Sequence, residues 1–290
     1  MTTIAVTGAT GFVGKRLMEY NKNKYRLVPL SLRQKKPANF DLQGIGAVIH
    51  LAGKAHQMES IADSIYFDIN YELTKQLADT AKENGVKQFL YISSVKVYGD
   101  EIQGVLNEWS ACAPTDAYGA SKLQAEKYLQ SIETNDFKIA IIRPPLVYGP
   151  EVKGNMIRLL QLANRKWPLP MGRINNARSM VFVDNLIELI NTIIDKEASG
   201  VFIAGDPEPL STSELIGLIR KNLGNKSGLI GIPGAIRKLI KRAKPALYTR
   251  LFGSFVVDNS ITNAKLHFVP PYSTEQGINQ MVDWFKSSGK

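Results

Sequence analysis

The chain has 290 residues, 44% of them hydrophobic, and a net charge of +10. That length suits one large α/β domain or one domain with a smaller lobe, and no apolar run reaches the length of a bilayer span. A single cysteine, Cys112, excludes an internal disulfide, and the basic excess points to an anionic partner: a nucleotide, a phosphorylated substrate, nucleic acid or an acidic membrane surface.

Thr3 to Thr7 reads as a short buried strand, rich in β-branched residues. Its start at Thr3 leaves no room for a signal peptide, and with the lone cysteine it gives the expectation of a cytoplasmic protein. Gly8-Ala9-Thr10-Gly11-Phe12-Val13-Gly14 follows at once, and Lys15 to Tyr20 reads as helix. Strand, glycine-rich turn and helix together make the setting of a phosphate-binding turn. The glycines permit the tight turn, close approach of backbone to a pyrophosphate, and close packing of helix on strand. The helix N-terminus then faces the phosphates.

Tyr25 to Ser31 reads as the second strand. At this point in dinucleotide folds an acidic residue holds the ribose of NAD, whereas an arginine accommodates the 2′-phosphate of NADP. Leu30 to Lys36 is basic and carries no carboxylate. Arg33 is therefore read as a 2′-phosphate contact, against the alternative that Arg33, Lys35 and Lys36 form a solvated loop. Gly46 to Leu51 reads as the third strand, and Ala52-Gly53 after it is small enough for a ligand to lie close. His50 has apolar neighbours and reads as a packed or hydrogen-bonded core histidine. His56 lies in a loop and receives no role.

Asp68 to Asn84 reads as a long helix with Leu73, Leu77 and Ala81 at helical spacing, stopped by Gly85. Asn70 on it could reach a site or simply be solvated. Lys87 to Ser94 is the fourth strand. It ends in Ser93-Ser94, at the carboxyl end where open α/β sheets bind ligands. Asp116 is expected to cap a helix running to about Ile132. That helix carries Tyr118 and Lys122, four apart and on one face. A phenol titrates near about pH 10, and an ammonium beside it lowers that value, so the pair can pass a proton at neutral pH. Lys138 to Ile142 is the fifth strand, closed by Arg143-Pro144-Pro145, and Leu146 to Pro150 reads as turn.

Beyond Pro150 glycines, prolines and basic residues interrupt the apolar runs. Residues 1–150 are read as a dinucleotide-binding domain. Residues 151–290 are read mostly as a substrate-binding lobe, with some segments returning to the main sheet. Met180 to Val183 is a strand, Asp184-Asn185 caps a helix to Asp195, and Gly200 to Ala204 is a returning strand. Ser211 to Glu214 has the form of a helix start. Arg237 to Arg250 carries six basic residues and reads as a solvated, anion-attracting helix, with peripheral membrane contact as the other reading. It lacks the run of interleaved aromatics that single-stranded nucleic acid would want. Three histidines and one cysteine give no metal-ligand cluster.

The glycine turn, His50-Leu51-Ala52-Gly53, Ser93-Ser94, Tyr118-x-x-x-Lys122 and Arg143-Pro144 occur in one order and at one set of spacings. As a set they resemble the extended short-chain dehydrogenase/reductase superfamily, in its sugar-nucleotide epimerase/dehydratase branch. The resemblance implies a Rossmann-like, doubly wound parallel sheet with a smaller C-terminal lobe. It implies catalysis by Ser94, Tyr118 and Lys122. Cofactor contacts are implied for Gly8, Gly11, Phe12, Val13, Gly14, Leu51, Ala52, Gly53, Ser93, Pro144, Tyr118 and Lys122, besides Arg33. Contacts to a UDP-sugar are implied for Ser94, Lys96, Asn155, Leu169, Met171 and Arg178.

The departures narrow the expectation. Dehydratases of this branch carry an Asp-Glu pair where this chain has Val95-Lys96. Many 4-epimerases keep an acidic residue where it has Arg33, and the asparagine usual before Val-Tyr-Gly-Pro is Leu146 here. The segment between the second and third strands is also short. These features look closer to a bacterial subgroup that includes 4-keto-sugar reductases of surface-polysaccharide synthesis. The expectation is a 4-keto-reductase of a UDP-N-acetylhexosamine derivative using NADP(H), with NAD(H) as the other candidate cofactor. A UDP-sugar 4-epimerase and a non-catalytic NADP-binding regulator are the alternatives. A homodimer is expected from the resemblance, and a nucleic-acid partner is not.

Overall fold

The structure, a computed structural model, describes residues 1–33, 37–55, 62–100 and 104–289. Lys35, Lys36 and His56 lie outside the described residues. Six strands form one parallel sheet: β1 (Thr3–Thr7), β2 (Arg26–Leu30), β3 (Ala47–His50), β4 (Gln88–Ile92), β5 (Lys138–Arg143) and β6 (Gly200–Ile203). Their order is β6-β5-β4-β3-β1-β2. β1, β3, β4 and β5 are buried almost continuously. Parallel strands covered on both faces require this, and it is why they read as unbroken apolar runs. Pro29 sits in the edge strand β2, where its missing donor costs little. β2 lies on one side of β1 and β3 on the other, so the winding reverses there. Such a reversal opens a crevice beyond the carboxyl ends of the two strands, here at Thr7 and His50.

Helix α1 (Phe12–Tyr20) begins directly after Gly11, earlier than the sequence suggests. The long helix expected from Asp68 begins at Asp63 and is not uniform. A π-helical turn over Asp68–Glu72 joins Asp63–Phe67 to α2 (Leu73–Glu83). Helix α3 (Ala117–Ser131) is capped as expected: the Asp116 carboxylate accepts from the Gly119 N–H at 2.7 Å. Leu77, Ala78 and Ala81 of α2 and Ala125 and Leu129 of α3 join Phe89, Tyr91, Ile139 and Ile141 of the sheet in one buried cluster. The two helices are thereby pressed onto the strands whose ends form the site.

The chain divides into two compact units. One comprises Met1–Pro145, Leu186–Ala204 and Asp258–Val269, and the other Leu146–Asn185, Gly205–Val257 and Pro270–Lys290. In the second unit Leu146–Tyr148 is a strand rather than a turn, paired in parallel with Met180–Phe182. Buried aromatics stabilise the pairing. The Tyr148 and Phe182 rings lie 5.7 Å apart, and the Tyr148 hydroxyl donates to Asp206 Oδ2 at 2.6 Å. Leu169–Gly172 pairs in parallel with Leu229–Gly231. The helix Thr212–Leu223 starts with a reciprocal capping box of Ser211 and Glu214. The helix Val183–Asp195 already includes Asp184, which lies in its first turn instead of capping it.

Candidate active site

The glycine turn is built by contact. Gly8 has φ +70°, and a Cβ there would lie 2.7 Å from Ala52 N. A Cβ on Gly14 would lie 2.1 Å from Gly8 O, so α1 packs directly on the turn that precedes it. The Gly11 N–H donates to Gly8 O at 2.9 Å and closes the loop. Phe12 and Val13 start α1 and are partly buried.

Behind this turn runs a buried relay. The Ala52 N–H donates to Thr7 Oγ1 (3.2 Å), which lies 2.6 Å from His50 Nδ1. His50 Nε2 lies 2.9 Å from Thr74 Oγ1, and Thr74 donates to Asn70 O at 2.8 Å. Thr74 spends its proton on Asn70, so His50 must donate to it from Nε2 and accept from Thr7 at Nδ1. Burial, and then Lys122, push the imidazole down to about 3, so it stays neutral. His50 is thus a core histidine, as read from its neighbours. It ties β1 and β3 to the π-helical turn.

That turn buries Asn70 completely. Its Oδ1 accepts from the Lys54 N–H at 2.7 Å, and its Nδ2 donates to Lys54 O at 3.1 Å and to Ser121 Oγ at 3.1 Å. A Cβ on Gly53 would lie 3.0 Å from Asn70 Oδ1 and 3.2 Å from Lys122 Nζ. Asn70 therefore joins the loop after β3 to α3 beside the lysine. Sequence reading left its role open, because nothing local predicts a π-helical turn.

Ser94 follows β4, and its side chain hydrogen-bonds Tyr118. Tyr118 meets the edge of Tyr66 at 6.0 Å. Burial raises the Tyr118 pKa, and the Ser94 hydrogen bond opposes the rise. This corrects the expectation that Lys122 holds the phenol below its ordinary value. The Lys122 ammonium instead donates to Ile92 O at 2.9 Å and lies 4.6 Å from the centre of the Tyr91 ring. Burial lowers its own pKa to about 8, opposed by Glu126.

Glu126, one turn further along α3, fixes the helix to the sheet. Arg143 Nε reaches both its carboxylate oxygens (3.1 and 3.2 Å), Nη2 reaches one at 2.5 Å, and Nη1 donates to Tyr98 OH at 2.7 Å. Both residues are buried, so this two-pronged pair is charge-balanced out of water. Pro144 O accepts from the Val95 N–H at 3.2 Å and anchors the loop that carries Ser94. The Lys96 ammonium is paired with Asp100 and, at 3.2 Å, with Asp116. Arg33 lies exposed just past β2, and Leu51 is partly buried after β3.

In the second unit Asn155 opens a helix and is exposed. Leu169 is a buried core residue, so of the Leu169 and Met171 pair only Met171 offers side-chain surface. Arg178 Nη1 donates to Thr249 O, Arg250 O and Gly253 O at 3.3, 3.4 and 3.0 Å. It satisfies carbonyls at the end of a helix, which a cation favours. Asp206 is the centre sequence reading missed. Besides Tyr148 it accepts from the Phe182 N–H (2.9 Å) and Asn185 Nδ2 (2.8 Å).

The first unit fits a dinucleotide. Ser93 Oγ is buried at the end of β4 with no hydrogen-bond partner, a cost that a bound polar group would relieve. The cradle of Gly8, Gly11 and Gly14 brings bare backbone to the start of α1, where phosphates are held. Among the described residues no cluster could hold a metal ion, and no helix is long and apolar enough to cross a membrane.

A glycine-rich turn before α1, with a serine just past β4 and a tyrosine and lysine in the first two turns of α3, marks the class of nicotinamide-dependent enzymes. The chain belongs to the NAD dependent epimerase/dehydratase family, whose pattern matches residues 4–205. It is 33% identical over 312 residues to a UDP-glucose 4-epimerase of Vibrio cholerae, covering 98% of this chain and 95% of that one. It is 27% identical to an N-acetyl-alpha-D-glucosaminyl-diphospho-ditrans,octacis-undecaprenol 4-epimerase of Escherichia coli O157:H7, covering 97% of this chain and 94% of that one. The UDP-glucuronic acid 4-epimerase from Bacillus cereus in complex with NAD shares the fold, at TM-score 0.80 and 23% identity over 100% of both chains. Membership of a family of enzymes sets aside the non-catalytic alternative.

Proposed function

We propose that this enzyme performs redox chemistry at C4 of a UDP-sugar and completes it as a 4-epimerase. The observation that carries the reading is the Ser94–Tyr118 hydrogen bond beyond β4, with the Lys122 ammonium one turn along α3. A bound nicotinamide dinucleotide supplies the hydride acceptor and donor. Tyr118 Oη takes the proton of the 4-hydroxyl on oxidation and returns it on reduction. Ser94 holds the same oxygen against the phenol. Lys122, whose ammonium lies beside Gly53, would hold the ribose of the nucleotide. Asn155, Met171 and Arg178 are the positions we read as nucleotide-binding in the second unit. The activities of the two relatives, each matched over nearly its full length, support the epimerase outcome.

One observation favours a second reading, the net 4-keto-reductase using NADPH. No carboxylate occurs from Leu30 to Lys36, and Arg33 is exposed just past β2. The nucleotide carried by the purified enzyme separates the two. Stoichiometric NAD that does not wash out favours the epimerase, while freely exchanging NADPH favours the reductase. Tyr118→Phe tests the shared step. It should lower turnover of the UDP-sugar about 10³-fold, a typical loss for a proton carrier, and spare nucleotide binding. Retained turnover overturns the reading.

A further inference from the structure

Leu215 to Val257 contains nine Lys and Arg and no Asp or Glu, so this stretch alone accounts for nine of the net charge of +10. Within it lies the helix Gly234–Ala243. At helical spacing Ala235, Ile236, Leu239 and Ala243 share one side, and Arg237, Lys238, Lys241 and Arg242 share the other. The usual packing of such a helix puts the apolar side inward. Here the order is reversed. The Arg237 guanidinium lies 4.7 Å from the centre of the Phe252 ring, and Lys241 Nζ lies 5.5 Å from that of Tyr248, both on the neighbouring helix Pro245–Phe252. No residue of Gly234–Ala243 is buried. Leu239 is 66% exposed and Ile236 49%.

We infer that this helix is a docking face for an anionic lipid bilayer. The outward apolar stripe would enter the boundary between headgroups and acyl chains. Lys238 and Arg242, exposed at its flank, would meet lipid phosphates. Nucleic acid is the poorer occupant. It offers phosphates but no apolar phase for Ile236 and Leu239, and the Phe252 and Tyr248 faces on which bases would stack already meet Arg237 and Lys241. This inference is independent of the reaction at C4.

The test is co-sedimentation of the full-length enzyme with phosphatidylcholine vesicles, with and without about 30% phosphatidylglycerol. Binding to the anionic vesicles is expected, falling about tenfold on raising the salt to about 0.5 M. Ile236→Glu with Leu239→Glu should lower it about tenfold or more, with nucleotide binding and circular dichroism unchanged. Absence of binding to anionic vesicles overturns the inference, as does equal binding by the variant. Self-association lost in the variant without any vesicle binding would assign the face to a second copy instead. Tight, salt-sensitive binding of duplex DNA unaffected by the variant would assign the charge to nucleic acid.

Discussion

Helix α3 hides charge and the helix Gly234–Ala243 displays apolar surface, and the difference lies in what each charged group meets. In α3 the inward groups are Lys122 and Glu126, and each has a partner: Ile92 O and the Tyr91 ring for the lysine, Arg143 for the carboxylate. In Gly234–Ala243 the partly buried Arg237 and the exposed Lys241 each lie over an aromatic ring of the neighbouring helix. A fully paired charge can be held out of water at fixed geometry, which suits chemistry. A cation over a ring at the surface is held weakly and leaves the helix adaptable, which suits a face awaiting a partner.

The largest effect should come from unpairing the buried charge. Glu126→Ala leaves the Arg143 guanidinium buried without its carboxylate, and should cost about 3–5 kcal/mol in denaturant unfolding. Replacing both residues, as Glu126→Leu with Arg143→Met, should recover most of that loss, because both charges go together. If Glu126→Ala unfolds within about 1 kcal/mol of the native chain, the pair is not what fixes α3 to the sheet. The comparison between the two helices would then fail at its first limb.

This pair also marks how far the sequence could be read. The glycine turn, the Tyr118–Lys122 spacing and the main-sheet strands are legible, because each is a local pattern tied to one element. Gly8 and Gly14 are demanded by contacts to the adjoining segments, and Tyr118 and Lys122 by one helical turn. What stayed hidden depends on partners distant in sequence. Arg143 read only as the end of a strand, since Glu126 meets it across elements. Leu146 to Pro150 reads as turn from Gly149 and Pro150, since the strand partner of Leu146–Tyr148 lies far off at Met180–Phe182. The spacing that made Arg237 to Arg250 amphipathic carried no sign of which side faces out. The direction of the Tyr118 shift is not legible either, because it is set by burial, which raises it, and the Lys122 ammonium is held by Ile92 O instead.

A smaller effect, of opposite sign, is expected at Lys122 in the enzyme without nucleotide. Its pKa falls from 10.5 to about 8 on folding. Between those values the unfolded chain binds the proton and the folded chain does not, so stability rises with pH across that window. The burial penalty is present in full below about pH 8 and fades as the pH approaches 10.5. Lys122→Met should therefore unfold at a higher denaturant concentration at pH 7, by about 1 kcal/mol after the lost hydrogen bond to Ile92 is offset. The advantage should shrink as the pH is raised. A gap that does not change between pH 7 and 10 would mean that the ammonium is solvated, and the contrast with the exposed helix would lose its basis.

The smallest effect sharpens the other limb. Leu239 is 66% exposed, so little apolar area is removed from water on folding at this position. Leu239→Glu should change unfolding stability by no more than about 0.5 kcal/mol, as surface substitutions do. The new carboxylate also brings one negative charge into a stretch that has none between Leu215 and Val257, which offsets what little packing is lost. A loss above about 2 kcal/mol would show that the leucine packs against something in the free protein. The helix would then be an ordinary amphipathic one with its apolar side covered, and no lipid surface would be needed to explain its sequence. Near-neutral stability leaves the outward Ile236 and Leu239 unexplained by folding alone only if vesicle binding falls in the same variant, so the two measurements belong on one protein preparation.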